Sequence, residues 1–267
     1  LLSGDINIIV GTHSLIEDKV LFKNLGIVVI DEQHRFGVAQ RAKLWYKNKF
    51  PPHVLVMTAT PIPRTLAMSI YGDLDFSIIK ELPPGRKKIK TFLMGENKRL
   101  RVFKFLKEQI ELGKQIFIVY PLIEESQKMD YKDLMDGYES ICREFPLPKY
   151  RISVMHGKMK TEDKDYEMKR FLEGKSQIMV STTVIEVGVN IPNANVMVIE
   201  SAERFGLSQL HQLRGRVGRG NEQSFCILMK GKKISNDAKL RLETMAKTSD
   251  GFEIAEVDLK IRGPGDV

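Results

Sequence analysis

Short, continuous apolar runs recur along the chain, and each stops at small or polar residues. They occupy residues 6–10, 26–30, 53–57, 91–94, 115–120, 151–155, 177–180 and 195–199. A run without polar alternation predicts a strand covered on both faces, the kind that parallel sheets use. Between the runs lie stretches with helical spacing. Residues 38–47 predict one helix, stopped by Pro51-Pro52. Residues 97–112 predict another, with Leu100, Phe103, Leu106, Lys107 and Ile110 near helical spacing and Gly113 as its end. Residues 161–172 predict an amphipathic helix with Thr161 as N-cap, Ser208 opens a further one, and residues 236–247 predict the final one. Residues 121–150 are less regular and suggest a helix with flanking loops. Residues 12–14 either cap a helix beginning near Ser14 or present Thr12 and His13 to a phosphate. Strands alternating with helices predict an α/β fold built on parallel sheets.

The alternation is broken once. Leu82-Pro83-Pro84-Gly85-Arg86-Lys87-Lys88 reads as a linker, with two prolines, a glycine and a charge run. A second strand–helix cycle begins after it. Lys230-Gly231-Lys232-Lys233 reads as a solvated turn, and the tail from Asp250 sets Glu253, Glu256, Asp258 and Lys260 among apolar groups.

Composition narrows the functional classes. The chain has 267 residues, 42% of them hydrophobic, enough for one large domain or two ordinary ones. Lys and Arg number 42 against 34 Asp and Glu, a formal charge of +8, which favours a polyanionic partner such as nucleic acid. Cys142 and Cys226 are the only cysteines, which excludes a disulfide framework and fits a reducing, cytoplasmic setting. No apolar run is long enough to cross a bilayer. The five histidines have no metal-ligand spacing. The chain opens on Leu1 in place of Met, and the expectation is a piece of a longer protein.

Two stretches carry candidate chemistry. Gly26-Ile27-Val28-Val29-Ile30 runs straight into Asp31-Glu32-Gln33-His34. Ligands bind at the carboxyl ends of strands in open α/β sheets, so two adjacent acids there suit a magnesium ion held by Asp31 and a water polarised by Glu32, or else the strand simply ends in two solvated acids. Thr58-Ala59-Thr60 ends the neighbouring run, either as a sensor of what the acids hold or as the N-cap of a helix with Pro61 at its first position. The second stretch is Gly215-Arg216-Val217-Gly218-Arg219-Gly220. Glycine admits close backbone approach and arginine presents a fork that fits phosphate, so this alternation predicts phosphate contact.

Together these motifs resemble superfamily 2 helicases. Asp31 to His34 is similar to the Walker B motif, Thr58-Ala59-Thr60 to motif III, residues 182–190 to motif V and residues 212–219 to motif VI. The closer resemblance is to the RecG family of branch-migration helicases. It rests on residues 31–38, 57–65, 72–74, 81–86, 120–126, 181–188, 203–220 and 250–265, with the related Mfd family of transcription-repair coupling translocases as the alternative. Mfd usually has Glu where this chain has Gln33.

The resemblance implies two RecA-like parallel-sheet lobes with ATP between them, followed by a helical translocation segment. The parts would be residues 1–84, 85–230 and 231–267. It implies that Asp31, Glu32, Arg216 and Arg219 are catalytic. Gln33, His34, Thr58, Ala59, Thr60 and Gln212 would couple nucleotide state to motion. Gly188 and Asn190 would line the nucleotide. Thr12, His13, His156, Gly157, Thr182, Thr183 and Arg262 would meet duplex or branched DNA, Arg262 from a loop after the helical hairpin.

One departure stands out. No Gly-x-x-x-x-Gly-Lys-Thr/Ser occurs in the sequence. The expectation is a first lobe lacking its Walker A half, with a sheet edge exposed near residues 54–57.

Overall fold

The structure is a computed structural model. It describes residues 1–32, 47, 50–58, 75, 77–79, 81, 83–121, 127–182 and 191–263, with the backbone alone at 127–133 and 262. Contacts divide the chain into two units, Leu1–Pro61 and Ile62–Val267.

In the first unit, β1 (Ile27–Ile30) and β2 (His53–Val56) pair in parallel, Ile27 opposite His53 and Ile30 opposite Val56. Ile30 and Ile16 are buried together, with Val28 and Val54 packed against them. The expectation of a strand covered on both faces is corrected here: Ile27 is 68% and Val29 56% exposed. One face of the pair is covered, and the other side chains point away from it, as strand alternation requires. Residues 6–10 form no strand, and Ile8 and Val10 lie open. A buried strand needs a neighbour to pair with and layers on both faces, and among the described residues this unit supplies neither to them. The predicted helix near Ser14 is a single 3-10 turn, His13–Ile16, and Thr12 makes no side-chain cap bond. The helix predicted over residues 38–47 lies outside the described residues.

In the second unit, six parallel strands form one sheet. They are β3 (Lys90–Gly95), β4 (Gln115–Tyr120), β5 (Ile152–Met155), β6 (Ile178–Thr182), β7 (Ala194–Ile199) and β8 (Phe225–Lys230), in the order β3-β8-β7-β4-β6-β5. Strand β8 was not predicted from sequence, yet it pairs with both β3 and β7. Its residues Phe225-Cys226-Ile227-Leu228-Met229 sit between a glycine loop and a basic turn, and those two hid it.

Alternation along each strand feeds two cores. Ile116, Ile118, Ile178, Val180, Val196 and Val198 face α1 (Arg99–Glu111) and α2 (Gln127–Glu144), meeting Leu106, Phe103 and Phe145. Phe117, Val119, Met179, Met197 and Ile199 face the opposite core, built with α3 (Thr161–Leu172), α4 (Leu207–Arg214), α5 (Asn236–Lys247) and α6 (Gly251–Arg262). Two predicted caps differ. Thr161 is the first residue of α3 behind Lys160 as N-cap, and Gly206 precedes α4. Ser235, by contrast, caps α5 by accepting from the Ala238 amide at 3.2 Å.

The α5–α6 pair is part of this unit's core. Leu242, Met245 and Ile254 are buried in it. A buried guanidinium also joins α4 to α5. Arg214 Nη1 donates to the carbonyls of Met245 and Thr248 at 2.9 and 2.8 Å, at the carboxyl end of α5, where the helix dipole favours a cation. Its Nη2 lies 3.1 Å from His211 Nδ1. Arg214 holds its proton, so His211 is the neutral acceptor. Burial first, and the Arg214 charge after it, push the His211 ring down to about 4.

Three predictions follow from these contacts. Leu106→Ala costs about 3 kcal/mol in urea unfolding, whereas Leu100→Ala, at a position 77% exposed, costs under about 0.5 kcal/mol. For His211 the unfolded chain binds the extra proton between pH 6.5 and about 4, so stability falls as pH falls through that window. The His211→Gln variant should lack up to about 2 kcal/mol of that loss, and unfolding curves at pH 7 and pH 5 check it. Finally, the exposed Ile27, Val29 and Leu55 side chains of the β1–β2 pair should make the chain self-associate. Light scattering should report less association for a Val29→Lys, Leu55→Lys variant, and a monodisperse unsubstituted chain would contradict the assignment.

Candidate functional site

Asp31 and Glu32 follow β1 directly, at its carboxyl end. Asp31 is exposed, and one of its carboxylate oxygens accepts the Glu32 amide at 2.9 Å. Glu32 has φ of +52°, a left-handed conformation costly for a side chain of its size. The backbone therefore turns sharply between the two acids, and they do not continue the strand's alternation. Among the described residues the second Asp31 oxygen has no hydrogen-bond partner and is available to a cation. A single carboxylate suits magnesium, which takes one or two carboxylates and keeps its remaining positions for water and phosphate. Thr58 is exposed just beyond β2, at the same end of the pair. Gln33, His34, Ala59 and Thr60 lie outside the described residues.

The arginine–glycine stretch forms the loop between α4 and β8. It sits at the amino-terminal ends of the strands in the second unit. A Cβ at Gly218 would meet the Ile89 side chain at 2.9 Å, and one at Gly220 would meet the Pro192 carbonyl at 3.4 Å. Gly218 also has φ of +75°, so both space and backbone require glycine. Val217 is buried as the loop's anchor, while Arg216 is half-buried and Arg219 exposed over much of its side chain.

Sequence reasoning missed a third arginine here. Residues 83–89 lie along this loop and are not a free linker. Arg86 Nε donates to the Gly218 carbonyl at 2.9 Å, and Gln223 donates to the Lys88 carbonyl at 2.9 Å. Gly85, at φ +81°, leaves room for the Asn221 side chain. Burial first, then the charges of Arg216 and Arg86, lower the affinity of Arg219 for its proton. No local pattern distinguishes Arg86 from its neighbours in a charge run, though the family resemblance included it.

The residues expected to meet DNA gather at the opposite end of the sheet. β5 and β6 are neighbours, Met155 opposite Ser181, so His156 and Thr182 follow side by side at the carboxyl ends. Burial first, then Lys158 and Lys164, push the His156 ring below its ordinary range and favour its neutral form. Gly157 is exposed, with open space where a Cβ would stand. The Ser181 and Thr182 hydroxyls are buried and unpaired among the described residues. In the first unit Thr12 and His13 are both exposed, Thr12 Oγ1 lying 3.1 Å from Ser14 Oγ. Gln212 is half-buried on α4. The backbone puts Arg262 in the last helical residue of α6, ahead of Gly263 at φ +75°, and not in a loop. Thr183, Gly188 and Asn190 lie outside the described residues.

Two family models match this chain in order: DEAD/DEAH box helicase over residues 1–69 and Helicase conserved C-terminal domain over residues 97–221. The ATP-dependent DNA helicase RecG of Bacillus subtilis is 53% identical over 266 residues, covering all of this chain and 39% of that protein. RecG of Aquifex aeolicus is 54% identical over 99% of this chain and 34% of its own length. A solved structure of RecG bound to a three-way DNA junction is 48% identical, with a TM-score of 0.75 over 96% of this chain and 32% of that one. The chain thus spans about a third of the length of these relatives. With both helicase domains matched in order and identity near one half from end to end, the two parallel-sheet units are RecA-like, and the chain is similar along its whole length to RecG helicases.

Proposed function

We propose that this chain is the carboxyl-terminal helicase part of an ATP-dependent helicase acting on branched DNA. The observation that carries the reading is the Asp31–Glu32 pair at the carboxyl end of a parallel strand, in a chain matched end to end by RecG helicases. The parts are the carboxyl half of one RecA-like lobe (residues 1–84), a second lobe (85–230) and a helical translocation segment (231–267). The activity of the whole protein is fork regression and Holliday junction migration, in recombination and repair, in the bacterial cytoplasm.

Each residue then has a physical task. Magnesium, when bound, neutralises charge on the phosphates. Asp31 would hold it, and Glu32 would orient the attacking water and accept its proton. Arg216 and Arg219 take up charge on the γ-phosphate, the role of an arginine finger. Gln33, His34, Thr58, Ala59, Thr60 and Gln212 link the nucleotide's state to motion, and Gly188 and Asn190 line it. His156, Gly157, Thr182 and Thr183 follow a DNA backbone, joined by Thr12, His13 and Arg262. Phosphate contacts of this kind position a duplex without reading its sequence.

A second reading rests on the formal charge of +8: the isolated chain is a catalytically silent DNA-binding module. The two readings are compatible and are tested together. The 267-residue chain alone should bind duplex DNA with steep salt dependence and show no DNA-stimulated ATP hydrolysis. In the full-length protein that carries it, Glu32→Gln should lower kcat by about a thousandfold and leave ATP binding intact, and Arg219→Ala should lower it by a similar factor. Steady turnover by the isolated chain sinks the account of the piece. Unimpaired turnover by both substituted full-length proteins sinks the helicase assignment of the residues.

A further inference from the structure

The segment 83–89 reads from sequence as a spacer, yet its one arginine is fixed in place. Arg86 spends its Nε proton on the Gly218 carbonyl at 2.9 Å. Gly218 directly precedes Arg219 and follows Arg216 by two residues. Around that bond the two strands of chain are locked together. Asn221 fills the space over Gly85, Gln223 reaches the Lys88 carbonyl, and the Lys90 amide donates to the Ser224 carbonyl at 3.0 Å. Among the described residues the two terminal Arg86 nitrogens have no hydrogen-bond partner and no carboxylate, and neither Arg216 nor Arg219 has one.

Three guanidinium groups thus share one small region, and the acid of this stretch, Glu222, is paired with Lys114 instead. Arginine cannot shed its proton to relieve the repulsion. The Arg219 guanidinium feels both neighbours, since the charges of Arg216 and Arg86 each count against its protonation. Packing alone gives no reason to bring a third cation there, because the Gly218 carbonyl could be satisfied by a neutral donor. A polyanion supplies the reason. It would accept from the paired terminal nitrogens of Arg86 in the forked geometry that suits phosphate.

We infer that Arg86 is a third phosphate ligand of the arginine loop, anchored through Nε to Gly218 and presenting its terminal nitrogens to a polyphosphate beside Arg216 and Arg219. This rests on the phosphate-binding reading of that loop and adds to it a residue from a segment outside the loop. A consequence is that the segment joining the two sequence cycles senses the phosphate directly. Losing the ligand leaves Arg86 with a single hydrogen bond to hold it.

Calorimetric titration of the chain with inorganic tripolyphosphate, in about 50 mM salt, tests this. Arg86→Ala and Arg86→Gln should each weaken binding by about tenfold, while Arg86→Lys stays within about threefold of the unsubstituted chain. Gln keeps a donor for the Gly218 carbonyl and removes only the charge, so it separates a ligand from a strut. Thermal melts of each variant check that the fold is retained. Binding by Arg86→Gln within about twofold of the unsubstituted chain, while Arg219→Ala is weakened, overturns the inference and leaves the loop reading intact. No binding by the unsubstituted chain overturns both.

Discussion

A parallel sheet buried on both faces can present chemistry only at the ends of its strands. In the second unit every position along the middle of β4, β6, β7 and β8 is committed to one of two cores. Even the cysteine is spent this way: Cys226 is fully buried, and its thiol is pushed up to about 12 by the loss of solvent. What remains are two rims, separated by a six-residue strand, about 20 Å. The arginine loop occupies the amino-terminal rim, and His156 and Thr182 occupy the carboxyl-terminal one. On the proposed function, the two rims would keep the nucleotide and the DNA apart while the stiff sheet joins them mechanically.

The arginines of this unit separate by their partners. Arg99 is clasped by carboxylates, donating to both oxygens of Glu200 at 2.8 and 2.9 Å and to Glu96, and its guanidinium is held more firmly protonated than usual. Arg214 is buried among carbonyl dipoles at the end of α5. Both are structural: their donors are satisfied by the protein. Arg216 and Arg219, two and five residues beyond Arg214, have no such partners among the described residues. The sequence motif contains all three alike, and only the hydrogen bonds separate the strut from the candidate ligands.

Most strands and helices of the second unit were legible because they carry strong local signals, but β8 and the helix over Gly251–Arg262 were not. Residues 115–120 and 236–247 were read from sequence with the bounds the structure has. The failures share a cause. Residues 6–10 looked like a buried strand because apolarity records the wish for partners and not their presence. Residues 225–230 escaped notice because the loop before them and the basic turn after them drew the eye to charge. Residues 83–88 looked like a spacer because proline and glycine describe local conformation and cannot report that Gly218, far along the chain, offers a carbonyl to Arg86. Long-range pairing leaves no local trace. The acid pair was legible as composition, but the left-handed turn at Glu32 that separates the two carboxylates was not.

The direction of the electrostatic argument follows from the dielectric. Like charges on an open surface repel weakly in water, and salt screens them further. The cost grows where burial removes water, and burial is the first cause acting on Arg219. A partly desolvated cluster of cations therefore raises the energy of the empty site and lowers that of the filled one, because the same loss of water that strengthens repulsion between guanidiniums strengthens their attraction to phosphate. Lysines would relieve the empty state by giving up protons. Arginines cannot, so the tension persists until an anion arrives. If the loop binds a polyphosphate as proposed, a triphosphate would draw it together more than a diphosphate. It would then respond to loss of a phosphate through attraction alone, because the repulsion among its own guanidiniums grows as negative charge leaves.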